Sequence, residues 1–178
     1  MNKTHWLLLS LVMALVSCEA PTRQRQVAFN EADFRWAGGT GTGSVVGQGY
    51  VKMNSGKIRY VENTSMALTP VNTYTSESIQ RRYINGENLT PSDARLQKYA
   101  RSVPTDSRGR FAFDHLPPGE YYIGSSVDWK DVSYNADPAG ILVPTYYEYA
   151  IPIYARITVK NGQTVRVTNW ETGKQRQF

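Results

Sequence analysis

The side chains able to do acid–base or nucleophilic chemistry are few and scattered. The chain has 178 residues, two of them His and one Cys. His5 lies near the start, and His115 stands in Asp114-His115-Leu116-Pro117 beside a turn. A catalytic triad needs a nucleophile set against its imidazole, and a two-His metal site needs a second ring. His115 alone supplies neither and reads as an exposed turn residue. Glu120, Asp128, Asp131 and Asp137 could form a carboxylate pair for acid–base work, but no spacing pairs them. Asp106 and Asp114 suggest calcium only weakly, because a hard cation wants several oxygens and no dense acidic loop supplies them. The expectation is a protein that is not an enzyme, with no metal and no cofactor.

The single cysteine has another chemistry open to it. Asn2-Lys3-Thr4-His5 is a short polar start, and Trp6 to Val16 is almost wholly apolar. That run is too short to span a bilayer, which needs about 20 apolar residues, and suits a signal-peptide core. It ends in Leu15-Val16-Ser17-Cys18, which resembles the lipobox of bacterial lipoproteins. The resemblance implies that residues 1–17 are cut away, that the Cys18 thiol takes a diacylglyceryl group, and that the new amine is acylated. Each buried methylene contributes about 0.8 kcal/mol, so several chains hold far better than one. As the only Cys, Cys18 can form no internal disulfide, and an unpaired thiol in an oxidising compartment is otherwise odd. Glu19 rather than Asp follows it, and the resemblance then implies the outer membrane with the domain facing the periplasm. The membrane, through this lipid, is the first expected partner.

The elements that must position any site follow from the rest. The net charge is +5, and loss of Lys3 leaves +4. No dense Lys/Arg block accompanies that mild excess, which argues against nucleic acid as a partner. Residues 18–43, polar and then Gly-rich, read as a flexible tether reaching roughly 25–30 Å. Residues 44–178 read as one domain of strands. Val45 to Met53, Lys57 to Val61, Ser65 to Thr69, Phe111 with Phe113, Tyr121 to Trp129 and Ile151 to Val159 all alternate with a period of two. Asn161-Gly162 predicts a hairpin, with Val165 and Val167 returning beyond it. Pro152 lacks a ladder donor and predicts an edge or a bulge. One stretch has a helical period: Thr90 as N-cap, Pro91 in the first turn, then Leu96, Tyr99, Ala100 and Val103 on one face.

Thr105 to Ile123 contains Asp106-Ser107-Arg108-Gly109-Arg110-Phe111-Ala112-Phe113 and then Leu116-Pro117-Pro118-Gly119-Glu120-Tyr121. It resembles the central hairpin of carboxypeptidase regulatory-like domains, which are transthyretin-like or Cna-B-like β-sandwiches. The fold class expected is therefore all-β, an Ig-like or transthyretin-like sandwich with one short helical insertion. Asp106 suits acceptance of backbone hydrogens across the turn, and Gly109 a positive-φ corner. Some Cna-B domains carry a Lys–Asn isopeptide crosslink. Lys52 and Asn169 could be compared with that pair, but Ser125 and Ser126 stand where the assisting acid belongs, so no crosslink is expected.

Three functions remain, in different classes. The leading one is an envelope scaffold docking onto another envelope protein, through a basic helix (Arg95, Lys98, Arg101) and a Tyr-rich segment (Tyr134, Tyr146, Tyr147, Tyr149), since Arg and aromatics suit interfaces. The alternative is a carbohydrate-binding module for peptidoglycan or another glycan, with aromatic stacking and Arg81 or Arg82 orienting the sugar. The third is an envelope enzyme of unknown class.

Overall fold

The computed structural model describes residues 21–177. The signal sequence, Cys18 and Glu19 lie outside the described residues. In chain order the strands are β1 (Gly43–Gln48), β2 (Tyr50–Lys52), β3 (Ile58–Tyr60), β4 (Ser65–Pro70), β5 (Arg101–Pro104), β6 (Arg110–Leu116), β7 (Gly119–Ala136), β8 (Leu142–Val159), β9 (Thr164–Val167), β10 (Glu171–Thr172) and β11 (Arg176–Gln177), with helix α1 (Thr73–Ser78) after β4. One sheet runs β6-β1-β9 and the other β10-β8-β7-β4-β5, with β11 also on β8. The two enclose a core of Val45, Met66, Leu68, Phe111, Phe113, Leu116, Tyr121, Ile123, Val127, Ile153 and Val159. Period-two alternation puts these side chains on one face of each strand, and each contributes roughly 1.5–3 kcal/mol by leaving water. The chain is an all-β sandwich with a short helical insertion.

The Asp106 turn has the expected geometry. Its carboxylate accepts from Arg108 N at 2.8 Å and Arg110 N at 2.9 Å, and Gly109 sits at φ +70°. Pro152 lies neither at an edge nor at a bulge, since β8 runs between β7 and the short β10 and β11 in unbroken register. It faces the gap between β10 and β11, where its carbonyl accepts from Gly173 N at 2.7 Å and no partner asks for its missing N–H.

Other expectations are corrected. Asn161-Gly162 turns the chain, with Gly162 at φ +67°, but it closes no hairpin. Val165 and Val167 pair in parallel with Val45 and Gly47 of β1, so the turn carries the chain into the opposite sheet. The helix expected from Thr90 shrinks to a 3-10 turn, Ala94–Lys98, capped by Asp93 rather than Thr90. Pro104 disfavours the helical region at Val103, and the chain instead enters β5, where Val103 pairs with Met66. The principal helix lies earlier: α1, with a capping box between Asn72 and Thr75, running into a π-helical turn over Ile79–Ile84.

The tether is corrected most sharply over its described part, residues 21–43. Arg23 N donates to Asn88 O at 2.6 Å, and Thr90 N donates to Arg23 O at 2.9 Å. Phe34 is fully buried, 4.7 Å from the Phe29 ring and 5.6 Å from that of Tyr99, with Tyr74 set against it edge-on. Trp36 stands edge-on to Tyr121, and its ring occupies the space a Cβ on Gly119 would need. Aromatic burial outweighs the flexibility that the glycines and polar residues suggest.

Candidate functional site

A groove opens on the outer face of the larger sheet because small side chains floor it. On β7 the outward positions run Tyr122, Gly124, Ser126, Asp128, Lys130, and on β8 they pair with Arg156, Tyr154, Pro152, Ala150 and Glu148. Ala67 of β4 lies beside Gly124. From Gly124 to Ala150 nothing large covers the sheet. The resulting cavity is about 640 Å³, within the range of small-molecule sites.

The walls come from distant parts of the chain. The π-helical turn contributes Arg82 and Tyr83, and the C-terminal strand contributes Arg176. Gly173 permits this meeting: a Cβ there would lie 2.4 Å from Tyr83 O, and the next residue's N–H donates to that carbonyl at 2.8 Å. Tyr83 packs edge-on to Tyr154 at 5.9 Å. Burial raises the Tyr83 phenol above its usual range, and burial with the Glu171 carboxylate pushes Tyr154 up to about 12.

The other face of the same two strands, continuing the core side beyond Val127 and Ile151, is aromatic. Trp129 and Tyr149 are direct cross-strand partners, stacked with centroids 5.2 Å apart and planes 19° apart. Arg59 of β3 places its guanidinium 4.6 Å from the Trp129 centroid, and Tyr147 continues the row 6.3 Å from Tyr149. On the groove face, Ser126 Oγ donates to Asp128 at 2.6 Å, and Lys130 pairs with Glu148. A concave floor of small side chains bordered by a few fixed donors and acceptors can hold a sugar ring by its hydroxyls.

The residues chosen from the sequence divide cleanly. Tyr149 marks the margin of the groove, but its ring and that of Tyr147 stand on the opposite face of β8. Tyr134 and Tyr146 lie further out on the β7–β8 arm, 62% and 72% exposed. The basic segment is a 3-10 turn whose exposed cations are paired within the chain. Arg95 pairs with Asp93, whose carboxyl it holds down at about 2, and covers the Phe29 ring. Lys98 pairs with Glu31, and Arg101 sits on β5 donating to the carbonyls of Gly39 and His115. Arg81 is tied between Glu77 and Glu87, whereas Arg82 borders the groove. Trp129, Tyr83 and Arg176 were absent from the sequence-derived candidates. The run Gly124-Ser125-Ser126 inside a strand of large residues was the one local signal of a concavity.

The remaining reactive residues do not assemble. His115 is exposed at φ +57°, a left-handed turn conformation that His tolerates better than most residues. Among the described residues no three His, Cys, Asp or Glu side chains gather as a metal site. Among them, too, no helix is long and apolar enough to cross a membrane. Lys52 and Asn169 are both exposed.

The class defined so far is a β-sandwich with a groove on its larger sheet, floored by small residues and walled by charged ones. No protein-family model matches the chain, and no curated protein sequence does. Among solved structures, the chain is similar to one from Pseudomonas aeruginosa described as a "putative carbohydrate binding protein". The two share 28% identity and a TM-score of 0.61, over 80% of this chain and 99% of that one.

Proposed function

We propose that this protein is a lipid-anchored envelope protein whose sandwich binds glycan without transforming it. The observation that carries the reading is the groove itself: small residues on its floor, Arg82, Tyr83 and Arg176 on its wall, and Asp128, Lys130 and Glu148 within reach. Support also comes from the similar solved structure, whose description names carbohydrate binding. The anchor at Cys18, the outer membrane and a periplasm-facing domain belong to the same proposal, as does kinship with carboxypeptidase regulatory-like domains. The Asp106–Gly109 turn and the inward Phe111 and Phe113 support that kinship.

The test is cosedimentation of detergent-solubilised full-length protein with purified sacculi and with insoluble polysaccharides. The expected result is retention on at least one, weakened about tenfold by Asp128→Ala, which is roughly 1.4 kcal/mol. A folded protein that none retains removes the glycan reading. Alkyne-palmitate labelling of growing cells tests the anchor: the band is expected in wild type and absent from Cys18→Ser.

A second reading, docking onto an envelope protein, draws on the outer half of the β7–β8 arm. Val132, Tyr134, Ile141, Leu142, Val143 and Tyr146 are all exposed there, more apolar surface than a free loop tip requires. Photo-crosslinking from Tyr146 in cells, with one dominant protein captured, supports it; no capture from that position counts against it.

A further inference from the structure

We infer that the groove selects an acidic sugar, one whose carboxylate or sulfate sits between Arg82 and Arg176. This rests on the glycan reading and narrows it to a ligand class. The two guanidiniums approach from opposite directions in sequence and meet at one wall. Arg176 Nη2 donates to Arg82 O at 2.9 Å, and Arg82 Nη2 donates to Leu89 O at 2.9 Å and Thr90 O at 3.3 Å. These bonds fix both side chains against the backbone, so they are organised before any ligand arrives.

Among the described residues, neither has a counter-ion. The ion pairs among the described residues engage Arg25, Arg81, Arg95, Lys98, Arg110, Lys130 and Arg156, and neither Arg82 nor Arg176. Arg176 Nε is a buried donor with no acceptor among the described residues. An unmet buried donor is costly, and an incoming anion can satisfy it with a charge-assisted bond. Arg82 feels the same want of an anion. Burial, then the charges of Arg25 and Arg176, draw its pKa below the ordinary guanidinium value. The groove's one carboxylate outside an ion pair, Asp128, is already hydrogen-bonded by Ser126.

The geometry assigns roles along the groove. Arg82 and Arg176 take the acidic group, and Asp128 and Ser126 take ring hydroxyls. Ala67, Ala150 and Pro152 supply the apolar floor beneath the ring. A guanidinium fork suits the planar pair of oxygens on a carboxylate and also fits sulfate. Both ligands share one recognition chemistry, and the experiment separates them.

The experiment is calorimetric titration of detergent-solubilised full-length protein with matched oligosaccharides. Galacturonate and glucuronate oligomers are compared with galactose and glucose oligomers of equal length, and with sulfated galactose oligomers. At least one acidic oligomer is expected to bind ten times more tightly than its neutral match. Arg176→Gln is expected to lower acidic binding at least fivefold and to abolish that difference. Arg82→Lys, which keeps the charge and loses the fork, is expected to lower acidic binding at least threefold. A uronate preference over sulfate assigns the ligand to carboxylated sugars; the reverse assigns it to sulfated ones. Equal binding of acidic and neutral oligomers overturns this inference and leaves the glycan reading standing. Acidic selectivity that survives both substitutions places the anion elsewhere and overturns the site. Absence of binding to every oligomer overturns the inference and the glycan reading together.

Discussion

Glu77 carries the tightest polar junction between the N-terminal segment and the sandwich. Its carboxylate accepts from Gln26 N at 2.7 Å, Val27 N at 3.3 Å and Arg81 Nη1 at 2.9 Å, with Arg25 at 3.9 Å. Burial alone would raise its pKa, but those hydrogen bonds outweigh it and hold the group below its ordinary value near 4.5. A depressed native pKa means that the stabilisation is present above the unfolded value and is lost as pH falls through the native one. Unfolding midpoints in urea are therefore expected to hold from pH 7 to about 5 and to decline below about 4.5. In Glu77→Gln that decline is expected to be shallower, on a protein already weaker by about 2 kcal/mol at pH 7. Phe34→Ala probes the apolar half of the same junction. Its ring is wholly buried, so truncation is expected to cost about 3 kcal/mol in denaturant titration. If Phe34→Ala left the midpoint unchanged, the segment would be a free tether after all.

At the scale of elements, β7 and β8 hold unlike halves in one hairpin. Residues near Gly119 and Val159 are sealed between β4 and the opposite sheet, whereas those beyond Trp129 pair only with each other. A two-stranded ribbon is marginal in water without a third layer. Amide exchange is expected to be at least tenfold faster at Val132 and Tyr146 than at Ile123 and Ile157, measured by mass spectrometry. Asp137 closes the tip by accepting from Ala139 N and Ile141 N, so Asp137→Ala is expected to speed exchange in the arm and leave the sandwich amides unchanged. The sequence made these strands legible because alternating apolar residues persist through Tyr121–Trp129 and Ile151–Val159. It did not disclose that the Tyr-rich stretch merely prolongs them. Beyond the core the alternation loses its burial signal. β10 and β11, of two residues each, are too short to leave a pattern. β9 was read correctly as a strand and assigned the wrong neighbour, since pairing across sheets has no local signature. The groove shows the same limit. Tyr149 was found by type, but Arg176 acquires its role only when Gly173 brings the C-terminal strand against Tyr83.

For the whole molecule, the pinning of Arg23 changes how far the protein can stand from its support. With the proposed acyl chains on Cys18, four residues lie between the anchor and Arg23, which bridges to Asn88 and Thr90, a separation of five residue steps. Even fully extended, five residues span at most about 17 Å. The domain is then moored hard against the headgroups rather than floating at the end of a long line. Its neighbourhood is a thin layer of the envelope next to the bilayer. Inserting about 20 Gly/Ser residues between Glu19 and Pro21 is expected to widen the set of envelope components that crosslink to the groove, with no change in affinity for free oligosaccharide. Altitude above the membrane would then govern which ligands the protein meets, as a shoreline plant samples only the water that reaches it.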